Sequence, residues 1–165
     1  MDKVVLIIGG NLGDRRELIK EANRLLVLHF GIPKISSSIF ETEAWGGKSA
    51  GNYLNQVLIF ETAQSPENIM AIILDIEKEM GRQRDLKWGD RTMDIDILYF
   101  GNKIISKPNL VIPHPFIQER RFVLVPLNET IPDFSHPILA KTHRELLESC
   151  SDTSRVVVFE KQNPE

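Results

Sequence analysis

Two aspartates, Asp94 and Asp96, stand one residue apart in the stretch Arg91-Thr92-Met93-Asp94-Ile95-Asp96-Ile97-Leu98. Alternating apolar positions mark this stretch as a β-strand, where every second side chain shares a face. The two carboxylates therefore point together, while Ile95 and Ile97 turn toward the core. Like charges this close repel unless a cation or arginines neutralise them. Paired hard oxygen ligands suit magnesium, which takes one or two carboxylates and fills its shell with water and phosphate. An isolated Asp-x-Asp is more often just the solvated face of an amphipathic strand, so its surroundings decide. Arg82, Arg84, Lys87 and Arg91 lie just upstream, around Trp88 and Gly89, and His114, Arg120 and Arg121 follow downstream. Any one of these arginines reads best as a weak surface ion pair. As a set beside an acidic pair, they match the needs of a magnesium-bound nucleoside triphosphate, whose developing charge must be neutralised.

Tyr53, Asn55 and Phe122 form a second group. Tyr53 and Asn55 share one face of a strand. A flat heteroaromatic ligand needs aromatic surfaces to stack on and amides to bond its edge. Other chemistries find no template. Gly9-Gly10-Asn11-Leu12-Gly13 lacks the Lys-Ser/Thr of a phosphate-binding P-loop and does not match the dinucleotide fingerprint. No zinc-ligand spacing and no hydrolytic triad is present. A net charge of −3 offers no global basic field for nucleic acid.

The elements that must position these residues follow from periodicity. Val4 to Ile8 reads as a buried strand closed by Gly9-Gly10, and Asp14 as the cap of a helix that runs to about His29 before Gly31 and Pro33. Ile35 to Glu43 and Tyr53 to Thr62 read as strands. Ser65-Pro66 starts a second helix that ends near Gly81. Met93 to Phe100 is the fourth strand, and Gly101-Asn102 predicts a hairpin returning through Lys103 to Ile105. Ile112-Pro113-His114-Pro115 is irregular, Phe122 to Leu127 is apolar, Leu139 to Leu147 suggests a short helix, and Val156 to Phe159 a late strand. This order predicts an α+β, ferredoxin-like βαββαβ antiparallel sheet with helices on one face, plus C-terminal additions. The 165 residues predict a single domain, and 42% hydrophobic with 26% charged residues is ordinary for a globular chain. One cysteine, Cys150, excludes an intrachain disulfide and reads as structural. The first apolar run is too short for a membrane span, so a cytoplasmic protein is expected.

Taken together, these pieces resemble the 6-hydroxymethyl-7,8-dihydropterin pyrophosphokinases of bacterial folate synthesis. The resemblance runs from Val4 to about Leu127. Its most specific part, Trp88-Gly89-Asp90-Arg91-Thr92-Met93-Asp94-Ile95-Asp96-Ile97-Leu98, is similar to the family's RWGPRTxDxDIL signature. Ile8 to Gly13, Tyr53-Leu54-Asn55, Gly81 to Arg84, Pro113-His114-Pro115 and Arg120 to Leu127 support it. The resemblance implies that Asp94 and Asp96 hold two magnesium ions on ATP, the co-substrate, and that Arg82 and Arg91 steady the triphosphate. It puts Glu77, Arg84, Trp88, Arg91, Ile97, His114 and Arg120 on the nucleotide side. It puts Thr42, Trp45, Tyr53, Asn55, Asp94 and Phe122 around the pterin, with Tyr53 and Phe122 sandwiching the ring. The implied partners are these two small molecules, with no nucleic acid and no membrane, and the implied state is a monomer. Departures from the family pattern include Gly10 for a serine and Asp90 for the proline before the signature arginine.

Overall fold

The computed structural model describes residues 1–43, 52–81 and 93–162. Strand β1 (Asp2–Gly10) leads into helix α1 (Arg15–Phe30), whose cap is Asp14: its carboxylate accepts the Glu17 N–H at 3.3 Å. The helix stops at Gly31, which adopts φ 81°, a left-handed conformation that favours glycine. Strands β2 (Ile35–Ser36) and β3 (Ile39–Thr42) follow, then β4 (Tyr53–Thr62) and helix α2 (Pro66–Glu79), capped by Ser65. Strand β5 (Asp94–Phe100), the short strands β6 (Ile105–Lys107) and β7 (Leu110–Ile112), helices α3 (Arg121–Thr130) and α4 (His143–Glu148), and strand β8 (Val156–Glu160) complete the chain.

The main sheet has the order β5-β1-β4-β3-β8, every pairing antiparallel, with β2 also on β4. The first four strands in that order are the expected ferredoxin-like arrangement. Alternation sends Val4, Leu6, Ile8, Leu54, Leu58, Ile95 and Ile97 to one face, where they pack with Ile19, Leu26, Ile69 and Ile73 of α1 and α2. Val5, Ile7, Val57, Ile59, Leu98 and Tyr99 face the other way and pack under Val123, Leu124 and Leu127 of α3 and Leu146 of α4. The C-terminal additions thus form a second helical layer on the opposite face.

A bulge and a strand break shape the sheet. Val5 pairs with Tyr99 and Leu6 with Ile97, so Leu98 is an extra residue on β5. It lets Leu98 and Tyr99 both enter the second layer, which strict alternation forbids. The expected strand from Ile35 to Glu43 is split at Ser37-Ser38. There the Ser37 hydroxyl accepts the Val57 N–H at 2.8 Å and the Gln56 amide donates to the Ser37 carbonyl at 2.9 Å.

The expected hairpin through Lys103 to Ile105 does not form. Gly101-Asn102 does turn, with the Lys103 N–H on the Phe100 carbonyl at 3.0 Å. The chain then leaves β5, and β6 pairs with β7 in a separate ribbon. The outer edge of β5 is already occupied. Glu77 accepts the Ile95 N–H at 2.8 Å, and the His114 N–H donates to the Leu98 carbonyl at 3.0 Å.

Candidate active site

Strand register brings the two groups of candidate residues onto one face. Thr42 pairs with Tyr53, Phe40 with Asn55, Asn55 with Gly9, and Gly9 with Asp94. Asp96 lies one step further along β5, opposite Ile7. All are on the face away from α1 and α2. Asn55 and Asp94 are therefore separated by the width of β1, about 10 Å from two interstrand spacings. The acidic pair is at one side of this surface and the amide and tyrosine at the other.

Gly9 is the floor between them. A Cβ there would stand 2.1 Å from Asn55 Oδ1 and 2.4 Å from the Leu54 carbonyl oxygen. The missing side chain lets the Asn55 carboxamide lie over the strand toward Asp94. Gly9 lies inside β1, paired with Asn55, rather than ending the strand, and a glycine inside a strand marks a close approach.

Thr42 is buried, and its hydroxyl has no hydrogen-bond partner among the described residues. A buried hydroxyl without a partner is costly. Here it sits beside Tyr53, at the end of the sheet where a ligand can supply the missing bond.

Glu77 is also buried, but on the α2 side. Its Oε2 accepts the main-chain N–H of Ile95, the residue between the two aspartates. It thus holds the strand that presents them, a role the nucleotide-side assignment did not include. The Ile97 side chain is likewise buried in the α1/α2 core, which leaves only its main chain available to a nucleotide.

His114 follows a cis Ile112–Pro113 bond and runs beside β5. Its Nδ1 accepts the Phe116 N–H at 3.2 Å, so in the neutral ring the proton sits on Nε2. Burial lowers its pKa to about 4, and the nearby Arg120 charge adds to the effect. The ring is therefore a neutral N–H donor at pH 7. The Arg120 guanidinium lies 5.0 Å from the Phe116 ring centre and 5.7 Å from that of Phe122. These cation–π contacts tie Arg120 to the expected pterin-stacking residue. Phe116 was not foreseen from the sequence. Trp45, Arg82, Arg84, Trp88 and Arg91 lie outside the described residues.

No cluster of three or more His, Cys, Asp or Glu side chains that could hold a metal occurs among the described residues. Asp94 and Asp96, paired on one face, fit magnesium all the same. That ion needs few protein oxygens when phosphate and water complete its octahedron.

Residues 5–132 match the sequence profile of 7,8-dihydro-6-hydroxymethylpterin-pyrophosphokinase. The chain is 41% identical over 145 residues to the 2-amino-4-hydroxy-6-hydroxymethyldihydropteridine pyrophosphokinase of Aquifex aeolicus, covering 88% of this chain and 90% of that one. It is 38% identical over 125 residues to the Bacillus subtilis protein of the same name, covering 75% of each. Its fold matches the crystal structure of wild-type HPPK-DHPS from Plasmodium falciparum with pteroate, at TM-score 0.72 and 18% identity. That match covers 89% of this chain but 42% of the longer one. No helix among the described residues is long and apolar enough to cross a membrane. With the profile spanning most of its length and these relatives alike over three quarters or more of theirs, the chain belongs to the 7,8-dihydro-6-hydroxymethylpterin-pyrophosphokinase family.

Proposed function

We propose that this chain transfers the pyrophosphoryl group of ATP to the hydroxymethyl oxygen of 6-hydroxymethyl-7,8-dihydropterin, giving AMP and the pterin diphosphate for folate synthesis. The observation that supports this most is the Asn55–Gly9–Asp94 row, which sets an acceptor-binding amide and an acidic pair on one surface. The pterin hydroxyl oxygen forms a bond to the β-phosphorus of ATP, in line, as the bond from the β-phosphorus to the oxygen of AMP breaks. The hydroxyl proton leaves to solvent.

Residues 1–165 act as one pyrophosphokinase domain, as a monomer and in the cytoplasm. Tyr53 and Phe122 stack on the two faces of the pterin. Asn55 and Thr42 bond its edge, and Trp45 is assigned to the same pterin side. Asp94 and Asp96 would hold two magnesium ions, which would neutralise the phosphate charge. Arg82 and Arg91 steady the triphosphate. Glu77, Arg84, Trp88, Ile97, His114 and Arg120 serve the nucleotide side. Of these, Glu77 works through the strand it fixes and His114 donates from Nε2. Positioning and charge neutralisation supply most of the acceleration, since little covalent work falls to the protein.

The test is a product assay with ATP, magnesium and the pterin alcohol. AMP with pterin diphosphate is the expected outcome. ADP would mean attack at the γ-phosphate and a different kinase.

A further inference from the structure

Helix α3 has no cap of its own. Arg120, its N-cap residue, makes no side-chain capping hydrogen bond. The cap comes from 31 residues downstream instead: Asp152 Oδ2 accepts the Arg121 N–H at 2.9 Å. Its other oxygen, Oδ1, accepts the Ser154 N–H at 2.9 Å and the Ser154 hydroxyl, so both oxygens are engaged. Burial alone would raise the Asp152 pKa, but the hydrogen bonds from Ser154 and Arg121 and the Arg121 charge hold it below the usual aspartate range. The carboxylate is therefore charged at neutral pH, as suits a helix N-terminus.

What this cap fixes is the end of α3 that carries Arg120 and Phe122. Four residues beyond Asp152, Val156 pairs with Thr42 on β3. One short segment thus touches both the α3 terminus and the strand end that bears Thr42, whose hydroxyl has no partner among the described residues.

We propose that Asp152 is a positioning residue for the pterin pocket, clasping the Arg120–Phe122 end of α3 to the Thr42 end of the sheet. This rests on the functional reading above. A helix cap of ordinary strength corresponds to about a fivefold change in an equilibrium constant. Asp152→Ala should therefore raise KM for the pterin about fivefold. Asp152→Asn keeps one acceptor oxygen for the Arg121 N–H but sets its NH2 against the Ser154 N–H, and should restore KM in part.

The control is Thr142→Ala, which removes the capping box of α4, a helix with no candidate site residue. It should lower Tm as much as Asp152→Ala does and leave KM unchanged. Hydrogen exchange at the Arg121 amide and at the Val123 amide, which bonds the Arg120 carbonyl, should rise in Asp152→Ala and not in Thr142→Ala, whatever the substrate. An Asp152→Ala protein with wild-type KM, or with unaltered exchange at those two amides, would overturn the proposal. If the wild-type protein makes no AMP, the functional reading fails instead, and the exchange measurement still decides whether Asp152 holds this helix end.

Discussion

Asn55 occupies the space that any side chain on Gly9 would need: the two residues pair across β4 and β1, and a Cβ on Gly9 would lie 2.1 Å from Asn55 Oδ1. Real Cβ atoms do not approach so closely, so Gly9→Ala must move the carboxamide or the Leu54 carbonyl behind it. Overpacking of this kind costs about 1–3 kcal/mol. The expected result is a lower urea midpoint together with a raised KM for the pterin and a much smaller change in KM for ATP. Equal changes in both constants would count against the assignment of Asn55 to the acceptor.

Glu77 offers a second test, because it acts on the aspartates through the backbone. Glu77→Gln keeps an oxygen for the Ile95 N–H and should be mild. Glu77→Ala leaves that N–H buried without its acceptor, at about 1–3 kcal/mol. Denaturation should show that loss, and AMP release should fall with it, since Asp94 and Asp96 flank Ile95. An alanine variant with wild-type stability would show that the hydrogen bond does not hold the strand.

Much of this architecture was legible beforehand, and the exceptions have specific causes. Runs such as Val4 to Ile8 and Tyr53 to Thr62 declare themselves by their apolar patterns, and Asp14 and Ser65 by their capping chemistry. The Asp94/Asp96 face followed from alternation alone. Alternation fails at Leu98, where a bulge turns two successive side chains to one face. Helix α3 was read only as apolar because Pro126 lies inside it. Proline lacks the N–H that would bond the Phe122 carbonyl, so it argues locally against a helix that packing on the sheet stabilises. Glu77 and Asp152 both bond main-chain N–H groups distant in sequence, and no local pattern encodes such a partner.

The second helical layer contains a buried polar chain that includes none of the candidate site residues. Tyr99 Oη and His143 Nε2 are 2.9 Å apart, and His143 Nδ1 is 2.8 Å from the Ile131 carbonyl oxygen. A carbonyl only accepts, so Nδ1 carries the proton and the Tyr99 hydroxyl donates to Nε2. Tyr99→Phe should cost about 1–3 kcal/mol by stranding that nitrogen. It should leave both KM values unchanged. A loss of activity without a loss of stability would place this chain in the reaction after all.

Acid should weaken the fold through His114, His136 and His143, each with its pKa lowered by burial. Burial, chiefly, lowers the pKa of His114 and of His143 to about 4 from the ordinary 6.5. Between those values the unfolded chain binds protons that the native protein does not. The histidine contribution to the unfolding free energy therefore falls as pH drops from 6.5 toward 4 and levels off below. Thermal melts from pH 8 to pH 4 should show Tm falling over that window. His143→Phe should flatten the dependence, and an unchanged slope would mean that His143 titrates normally in the native state.

The most direct measurement is AMP release, at saturating magnesium and both substrates, by Asp94→Ala and Asp96→Ala beside the wild-type protein. Loss of several kcal/mol of charge stabilisation corresponds to about a thousandfold fall in kcat for each variant. Such a fall, in proteins that melt like the wild type, is the predicted result. Either variant turning over within about tenfold of wild type, well short of that loss, would contradict the assignment of this acidic pair to the metal-bound phosphates.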